Sequence, residues 1–186
     1  MKKEDIRRRI KAQKALLTER EKQDAATAVF RALEQTAAFM VSERILMYLS
    51  LPDELSTREF IDKWAPKKQF YLPRVNGLNL EILPYDRSKL RLGAFRIEEP
   101  EGNETVSVSE IDMIVVPAVG YDTEGRRVGR GKGYYDKLLA RTKAIKVGVA
   151  YQFQVVDYIE TEPHDISVDM VITDRNIYYA PKTKKH

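Results

Sequence analysis

The chain has 186 residues, a formal net charge of +4 and a pI near 9.1, a length that fits one domain and a charge that favours anionic partners. Its apolar fraction of 43% and charged fraction of 32% are typical of a globular protein and exclude a disordered chain. The absence of cysteine and the presence of only two histidines exclude disulfides, thiol nucleophiles and multi-histidine metal sites.

The first two predicted elements are helices. Residues 3–17 are predicted to form a basic amphipathic helix, because Ile6, Ile10 and Leu17 recur at helical spacing among Arg and Lys residues. Thr18 and Glu21 then have the spacing of a capping box, which predicts the start of a second helix. Its buried stripe is predicted at Ala26, Val29, Phe30, Leu33 and Ala37.

A strand and a short helix follow. Residues 44–49 are a short apolar run, which predicts a central strand. Ser56 and Glu59 have capping-box spacing, which predicts a short helix that ends near Trp64.

A β-hairpin is predicted next. Residues 69–72 and 78–83 flank Asn76 and Gly77, a pair that suits a hairpin turn. The polar residues 84–109 are predicted to be mostly loop.

The remaining elements complete an α/β pattern. We expect strands at 112–117 and 145–150, a helix at 134–141, and a solvated tail at 181–186. Strands that alternate with helices predict parallel crossovers. The fold class is therefore α/β: one domain over residues 1–186, with an open, mostly parallel sheet, helices on both faces and a β-hairpin, in a Rossmann-like three-layer α/β/α arrangement.

The glycine-rich loop at 125–133 is the strongest functional signal. Gly129, Gly131 and Gly133 alternate with Arg130 and Lys132, so backbone N–H groups can approach an anion that the cations flank. The loop follows a predicted strand, where ligands bind in open α/β sheets. We therefore expect it to hold phosphate.

Asp136, in the first turn of the following helix, adds a carboxylate that suits a phosphate-bound Mg²⁺. The loop matches neither the Walker A pattern nor the dinucleotide pattern. Three alternatives stay open at this point: a flexible basic turn, a nucleic-acid-binding module, and an enzyme that acts on sugar phosphates or coenzyme A esters.

Two segments, 117–122 and 127–136, resemble the signature of the 5-formyltetrahydrofolate cyclo-ligase family, also called methenyltetrahydrofolate synthetases. Residues 3–7, 52–54 and 164–169 agree further, so the resemblance spans nearly the whole chain. It implies conversion of 5-formyltetrahydrofolate to 5,10-methenyltetrahydrofolate with ATP and Mg²⁺. Val128 and Tyr121 stand where the family often has other apolar or aromatic residues.

The resemblance also implies roles for particular residues. Those expected to bind ATP are Lys3, Glu4, Asp5, Ile6, Arg7, Arg127, Val128, Gly129, Arg130, Gly131, Lys132, Gly133, Tyr134 and Tyr135. Those expected to contact the folate are Leu49, Glu54, Tyr134 and, by its position after a strand, Tyr151. Arg130, Lys132 and Tyr134 are the expected catalytic residues. Asp136 and Asp165 are the expected magnesium ligands, with Asp169 as the alternative to Asp165.

Plainer interpretations compete with several of these roles. Lys3 and Arg7 could form a solvated helix face, Glu54 a turn and Asp165 a helix cap. His164 is assigned no role. The expected partners are ATP and 5-formyltetrahydrofolate, with or without further glutamates, and neither nucleic acid nor membrane. We expect a monomer, and a cytoplasmic one, because no apolar run or leader suggests export.

Overall fold

The computed structural model describes residues 2–93 and 97–181. Its helices are α1 (Lys3–Lys14), α2 (Glu19–Glu34), α3 (Ala37–Val41), α4 (Arg58–Trp64) and α5 (Tyr134–Leu139). Its strands are β1 (Arg44–Leu46), β2 (Gln69–Asn76), β3 (Asn79–Pro84), β4 (Leu90–Leu92), β5 (Glu98–Pro100), β6 (Met113–Val116), β7 (Gly120–Asp122), β8 (Arg127–Val128), β9 (Ile145–Ala150), β10 (Val155–Val156), β11 (Met170–Thr173) and β12 (Ile177–Tyr179). No helix in this part of the chain is both long and apolar enough to cross a lipid bilayer.

The main sheet of the described chain has seven strands in the order β12-β11-β9-β6-β1-β2-β3. Strands β11, β9, β6, β1 and β2 run parallel, and β12 and β3 pair antiparallel at the two edges. From β1 the chain moves to β2 and β3 on one side, and it then returns to β6 on the other side of β1. The order therefore reverses between β1 and β6, the kind of point at which α/β sheets bind ligands.

Both faces of the sheet are covered, as expected for the three-layer class. Met113 and Val115 of β6 face a core that α2, α3 and α4 close, whereas Ile114 and Val116 face a core that contains Leu138 of α5. This alternation follows from the period of two in a β-strand.

Helix α1 packs away from the main sheet. Ile6 and Ile10 are buried against Val128 and Ile159, next to a small sheet of order β10-β7-β8. The basic face of α1 is thereby placed beside the glycine-rich loop, which contains β8.

Several element predictions are confirmed. The capping box at Thr18 and Glu21 is present, and β9 has the predicted bounds. The stripe of α2 buries Val29, Phe30 and Leu33, but α2 ends at Glu34, so Ala37 lies in α3, and Ala25 is buried more deeply than Ala26. The hairpin of β2 and β3 is present, with Asn76 paired to Asn79 and Gly77 at φ 62° in the turn.

The capping box predicted at Ser56 and Glu59 is wrong. Thr57 is the N-cap of α4, and its side chain makes no cap hydrogen bond. Its hydroxyl instead donates to the carbonyl oxygen of Tyr48 at 2.6 Å and accepts from the N–H of Ser50 at 3.1 Å. The threonine therefore fixes the loop after β1 to the start of α4.

The loop predicted at 84–109 contains structure: β4 and β5 pair antiparallel, with Arg91 opposite Glu99. The short strands β7, β8 and β10, and the pair β11 and β12, were not predicted. Of the predicted solvated tail, residues 182–186 lie outside the described part of the chain.

Candidate active site

A cavity of about 760 Å³ opens where the strand order reverses. Tyr48 and Leu49, which follow β1, and Pro117 and Ala118, which follow β6, line it. The glycine-rich loop, α1 and the segment around Asp165 form further walls. The cavity therefore lies beyond the carboxyl ends of the strands.

Most of the residues predicted to bind a substrate or magnesium line this cavity. They are Lys3, Glu4, Arg7, Leu49, Glu54, Arg127, Gly129, Arg130, Gly131, Lys132, Gly133, Tyr134, Tyr135, Asp136 and Asp165.

Four predicted residues lie elsewhere. Ile6 and Val128 are fully buried in the core beneath α1, and the half-exposed Asp5 does not line the cavity. Tyr151 lies in the core under α2, stacked on Phe153 at a ring distance of 5.4 Å, and burial raises its pKa to about 12. The side chain of Tyr151 does not form part of the cavity wall.

The backbone of the loop uses the freedom of its glycines. Gly131 has φ 100° and Gly133 has φ 72°, values that other residues rarely adopt. Arg7 of α1 donates from Nε to the carbonyl oxygen of Gly129 at 2.9 Å. Helix α1 and the loop are therefore held together, with Arg7 and Lys132 on the same cavity.

Lys3, the first residue of α1, contacts Asp165 across 162 positions of the sequence. Its Nζ donates to Oδ2 of Asp165 at 2.6 Å, and the N–H of Glu162 donates to the same oxygen at 2.9 Å. Burial opposes ionisation of Asp165, but these hydrogen bonds outweigh it and hold its pKa below the ordinary value. Asp165 is therefore an anion beside the cavity.

Arg127 is buried at the base of the loop. Its Nη1 donates to Oδ1 of Asp136 at 2.9 Å and its Nη2 to the carbonyl oxygen of Pro117 at 3.2 Å. Its Nε is buried without a hydrogen-bond partner among the described residues. Because Oδ1 of Asp136 also accepts from the N–H of Ile166 at 3.1 Å, one carboxylate joins the loop, α5 and the segment after Asp165.

The carboxylates fit magnesium only as part of a larger ligand set. The described residues contain no group of three or more side chains that could hold a metal by themselves. Mg²⁺ commonly takes one or two carboxylates and completes its coordination with phosphate oxygens and water, which suits Asp136 and Asp165. Asp169 accepts from the N–H of Lys146 near the start of β9, away from the cavity.

Glu54 marks a second, more apolar part of the cavity. Its side chain is only 11% exposed, and its Oε1 accepts from the N–H of Leu51 at 2.9 Å. Burial raises its pKa, and the charges of Arg130 and Lys14 work against that shift. Apolar residues that line the same cavity include Leu49, Leu72, Pro73, Val75, Leu80 and Ile97.

Arg130 joins the glycine-rich loop to the segment after β1. Its Nη2 is 3.4 Å from Oδ1 of Asp53 and 3.7 Å from Oε2 of Glu54. A cation of the loop therefore contacts two carboxylates of the segment after β1.

Some lining residues were not predicted. Tyr48 precedes Leu49 at the end of β1, and burial raises the pKa of its phenol, which stays neutral. Its position at a strand end was a signal available in the sequence. Ile97 and Glu99 reach the cavity on the β4–β5 hairpin, whose strands are only three residues each, too short for their alternation to be a clear signal.

Comparisons with known proteins agree with this architecture. A model of the 5-formyltetrahydrofolate cyclo-ligase family matches residues 1–174. The 5-formyltetrahydrofolate cyclo-ligase of Escherichia coli is 27% identical over 179 residues, which cover 91% of this chain and 98% of that protein. The Haemophilus influenzae protein of the same name is 30% identical over 175 residues, which cover 89% of this chain and 94% of the relative.

A solved structure has the same fold. The NMR structure of 5,10-methenyltetrahydrofolate synthetase from Aquifex aeolicus matches with a TM-score of 0.88 and 33% identity, and it covers 100% of this chain and 97% of that chain. The chain thus belongs to the 5-formyltetrahydrofolate cyclo-ligase family.

Proposed function

We propose that this protein converts 5-formyltetrahydrofolate to 5,10-methenyltetrahydrofolate, with ATP and Mg²⁺, and releases ADP and phosphate. The observation that carries the proposal is one cavity with two chemically different parts. A glycine-rich loop with cations forms one part, and an apolar wall with a buried carboxylate forms the other. Family membership supports the same activity.

The phosphate part suits a nucleotide. Lys3, Arg7 and Lys132 place positive charge around it, and the loop glycines allow close approach of backbone N–H groups to phosphate oxygens. The buried Nε of Arg127, unpartnered within the described chain, is a donor that a phosphate oxygen can satisfy. Asp136 and Asp165 would hold Mg²⁺, which would offset the negative charge of the phosphates.

The apolar part suits the folate. Glu54 accepts hydrogen bonds from the amino groups of the pterin, and Leu49 packs against the ring. Tyr134, at the start of α5 and on the cavity wall, lies where it can contact both substrates.

The reaction needs positioning more than covalent catalysis. The formyl oxygen attacks the γ-phosphorus, and the bond to ADP breaks. The neighbouring folate nitrogen then attacks the formyl carbon and loses its proton, and phosphate leaves with the former formyl oxygen. Arg130 and Lys132 stabilise the charge that moves onto the phosphate oxygens.

An absorbance assay tests the proposal. Purified protein with 5-formyltetrahydrofolate, ATP and Mg²⁺ should produce the absorbance of the methenyl product together with an equal amount of phosphate. Omission of any one of the three should stop both signals. Phosphate release without folate, or no product with all three present, would contradict the proposal, and oligonucleotide binding with a steep salt dependence would favour the nucleic-acid alternative.

A further inference from the structure

Asp53 has no part in the proposed reaction, yet it contacts a residue that does. The Oδ1 of Asp53 lies 3.4 Å from Nη2 of Arg130, and Oε2 of Glu54 lies 3.7 Å from the same nitrogen. We call Asp53 and Glu54 the acidic pair. The pair follows β1, whereas Arg130 lies 77 positions further along the chain, in the glycine-rich loop.

The acidic pair and a triphosphate can both bind a guanidinium group. Both are anions that a guanidinium binds through its N–H donors. If Arg130 acts on phosphate as proposed above, its contacts with the acidic pair must loosen when a nucleotide enters. The side chains of Arg130 and Asp53 are both about half exposed, at 50% and 53%, so this contact can break without unpacking the core.

We propose that Asp53 is a positioning residue. Together with Glu54, it holds Arg130 on the folate side of the cavity until a bound nucleotide draws Arg130 away from the acidic pair. The inference rests on the proposed function. In this arrangement the acidic pair competes with the triphosphate for Arg130. Nucleotide therefore binds less tightly than it would if Arg130 made no contact with the acidic pair.

A second cation makes the exchange feasible. Lys14, in the last turn of α1, is only 8% exposed; burial lowers its pKa, and the charges of Asp53 and Glu54 oppose that shift. When Arg130 moves to the nucleotide, Lys14 remains as a positive charge near Glu54. Glu54 then loses a competing donor and can accept hydrogen bonds from the pterin, so nucleotide binding prepares the folate part of the cavity.

Calorimetric titration with a non-hydrolysable ATP analogue and Mg²⁺ tests the inference. Asp53→Asn should tighten analogue binding roughly two- to five-fold, the range that exposed ion pairs typically contribute. Asp53→Glu, which keeps the charge, should restore the wild-type affinity. Asp24→Asn is the matched control, because it removes an exposed carboxylate on α2 that does not line the cavity.

A double-mutant cycle separates the contact from a general effect of charge. In the Arg130→Gln background, Asp53→Asn should leave the affinity for the analogue unchanged, because the partner is gone. An equal gain in both backgrounds, or no gain in either, would overturn the inference.

Failure of this inference can be distinguished from failure of the proposed function. If wild-type protein binds the analogue and produces methenyltetrahydrofolate while Asp53→Asn changes nothing, only the role of Asp53 is wrong. If wild-type protein does not bind the analogue at all, the proposed function and this inference are both wrong.

Discussion

Arg130 and Lys132 flank Gly131, whose backbone adopts a φ of 100°. In the proposed reaction these two cations stabilise charge that develops only as the phosphoryl group moves. Lys132→Ala and Arg130→Ala should therefore each lower kcat, by roughly 10²- to 10³-fold, as observed when one electrostatic donor is removed from an active site. Steady-state kinetics would measure this change.

Lys143→Ala is the control for the loop cations. Lys143 is exposed in the turn after α5 and does not line the cavity. Its loss should leave kcat unaltered. Near-normal turnover in both loop variants would remove the catalytic role from the loop.

Glu54 links stability to pH. Its pKa in the folded protein is raised by burial, so the folded state retains the proton at pH values where the unfolded chain has lost it. Ionised Glu54 therefore destabilises the ligand-free protein above the folded pKa, and the effect vanishes below the unfolded pKa. Glu54→Gln should raise the free energy of unfolding at neutral pH and not in acid, as measured by urea unfolding.

The same substitution should weaken folate binding, because a neutral amide accepts hydrogen bonds less strongly than a carboxylate. We expect KM for 5-formyltetrahydrofolate to rise roughly 10- to 100-fold. Glu59→Gln, on the exposed side of α4, is the control and should change neither quantity. A Glu54→Gln protein with unaltered folate KM would show that the carboxylate does not contact the substrate.

At the scale of elements, Asp136 connects the loop to α5 and to the segment at Ile166. As a proposed magnesium ligand, it should set the metal requirement. Asp136→Asn should raise the half-saturating Mg²⁺ concentration for binding of the ATP analogue by about ten-fold, the lower end of what the loss of a metal-site partner costs. Asp169→Asn, near the start of β9, should leave that concentration unchanged, and an equal effect of both variants would argue against Asp136.

The packing of β7 against β9 depends on Gly148. An added Cβ there would lie 2.5 Å from Cζ of Tyr121, a fully buried ring whose hydroxyl donates to the carbonyl oxygen of Val116. Gly148→Ala should lower the free energy of unfolding by about 1–3 kcal/mol, the usual cost of overpacking. Urea unfolding would measure it.

The attribution to Tyr121 can be checked by shortening the ring. In the Tyr121→Leu background, Gly148→Ala should cost less than it does alone, because the colliding atoms are absent. Strict additivity would show that Gly148 has another role.

Elements with a local signal could be predicted from the sequence. Strand β6 is an apolar run because both of its faces are buried, β9 is apolar and buried from Val147 onward, and Thr18 starts α2 through a contact three residues away. Met170–Thr173 is an equally apolar run, so β11 was recognisable and was missed. In contrast, β7 and β10 exist only because residues such as Tyr121 and Val155 pair across the fold, and short sequences carry no mark of such pairing.

At the scale of the whole molecule, some residues of the candidate site could be predicted from the sequence and others could not. The loop between Gly125 and Gly133 was identifiable as a candidate because spaced glycines and cations form a local pattern that suits phosphate binding. Ile97 and Glu99 were not identifiable, because the β4–β5 hairpin that brings them to the cavity is distant in sequence from the loop. Tyr151 follows a strand, as ligand-binding residues often do, yet tertiary packing turns its ring into the core.

The contact between Lys3 and Asp165 spans 162 positions of the sequence. A growing polypeptide leaves the ribosome from its amino terminus, so α1 is made long before its acidic partner. The pocket therefore has no complete wall until most of the polymer has been translated. A prematurely terminated polypeptide that stops short of Asp165 lacks the contact that completes the pocket wall, even when its earlier strands assemble.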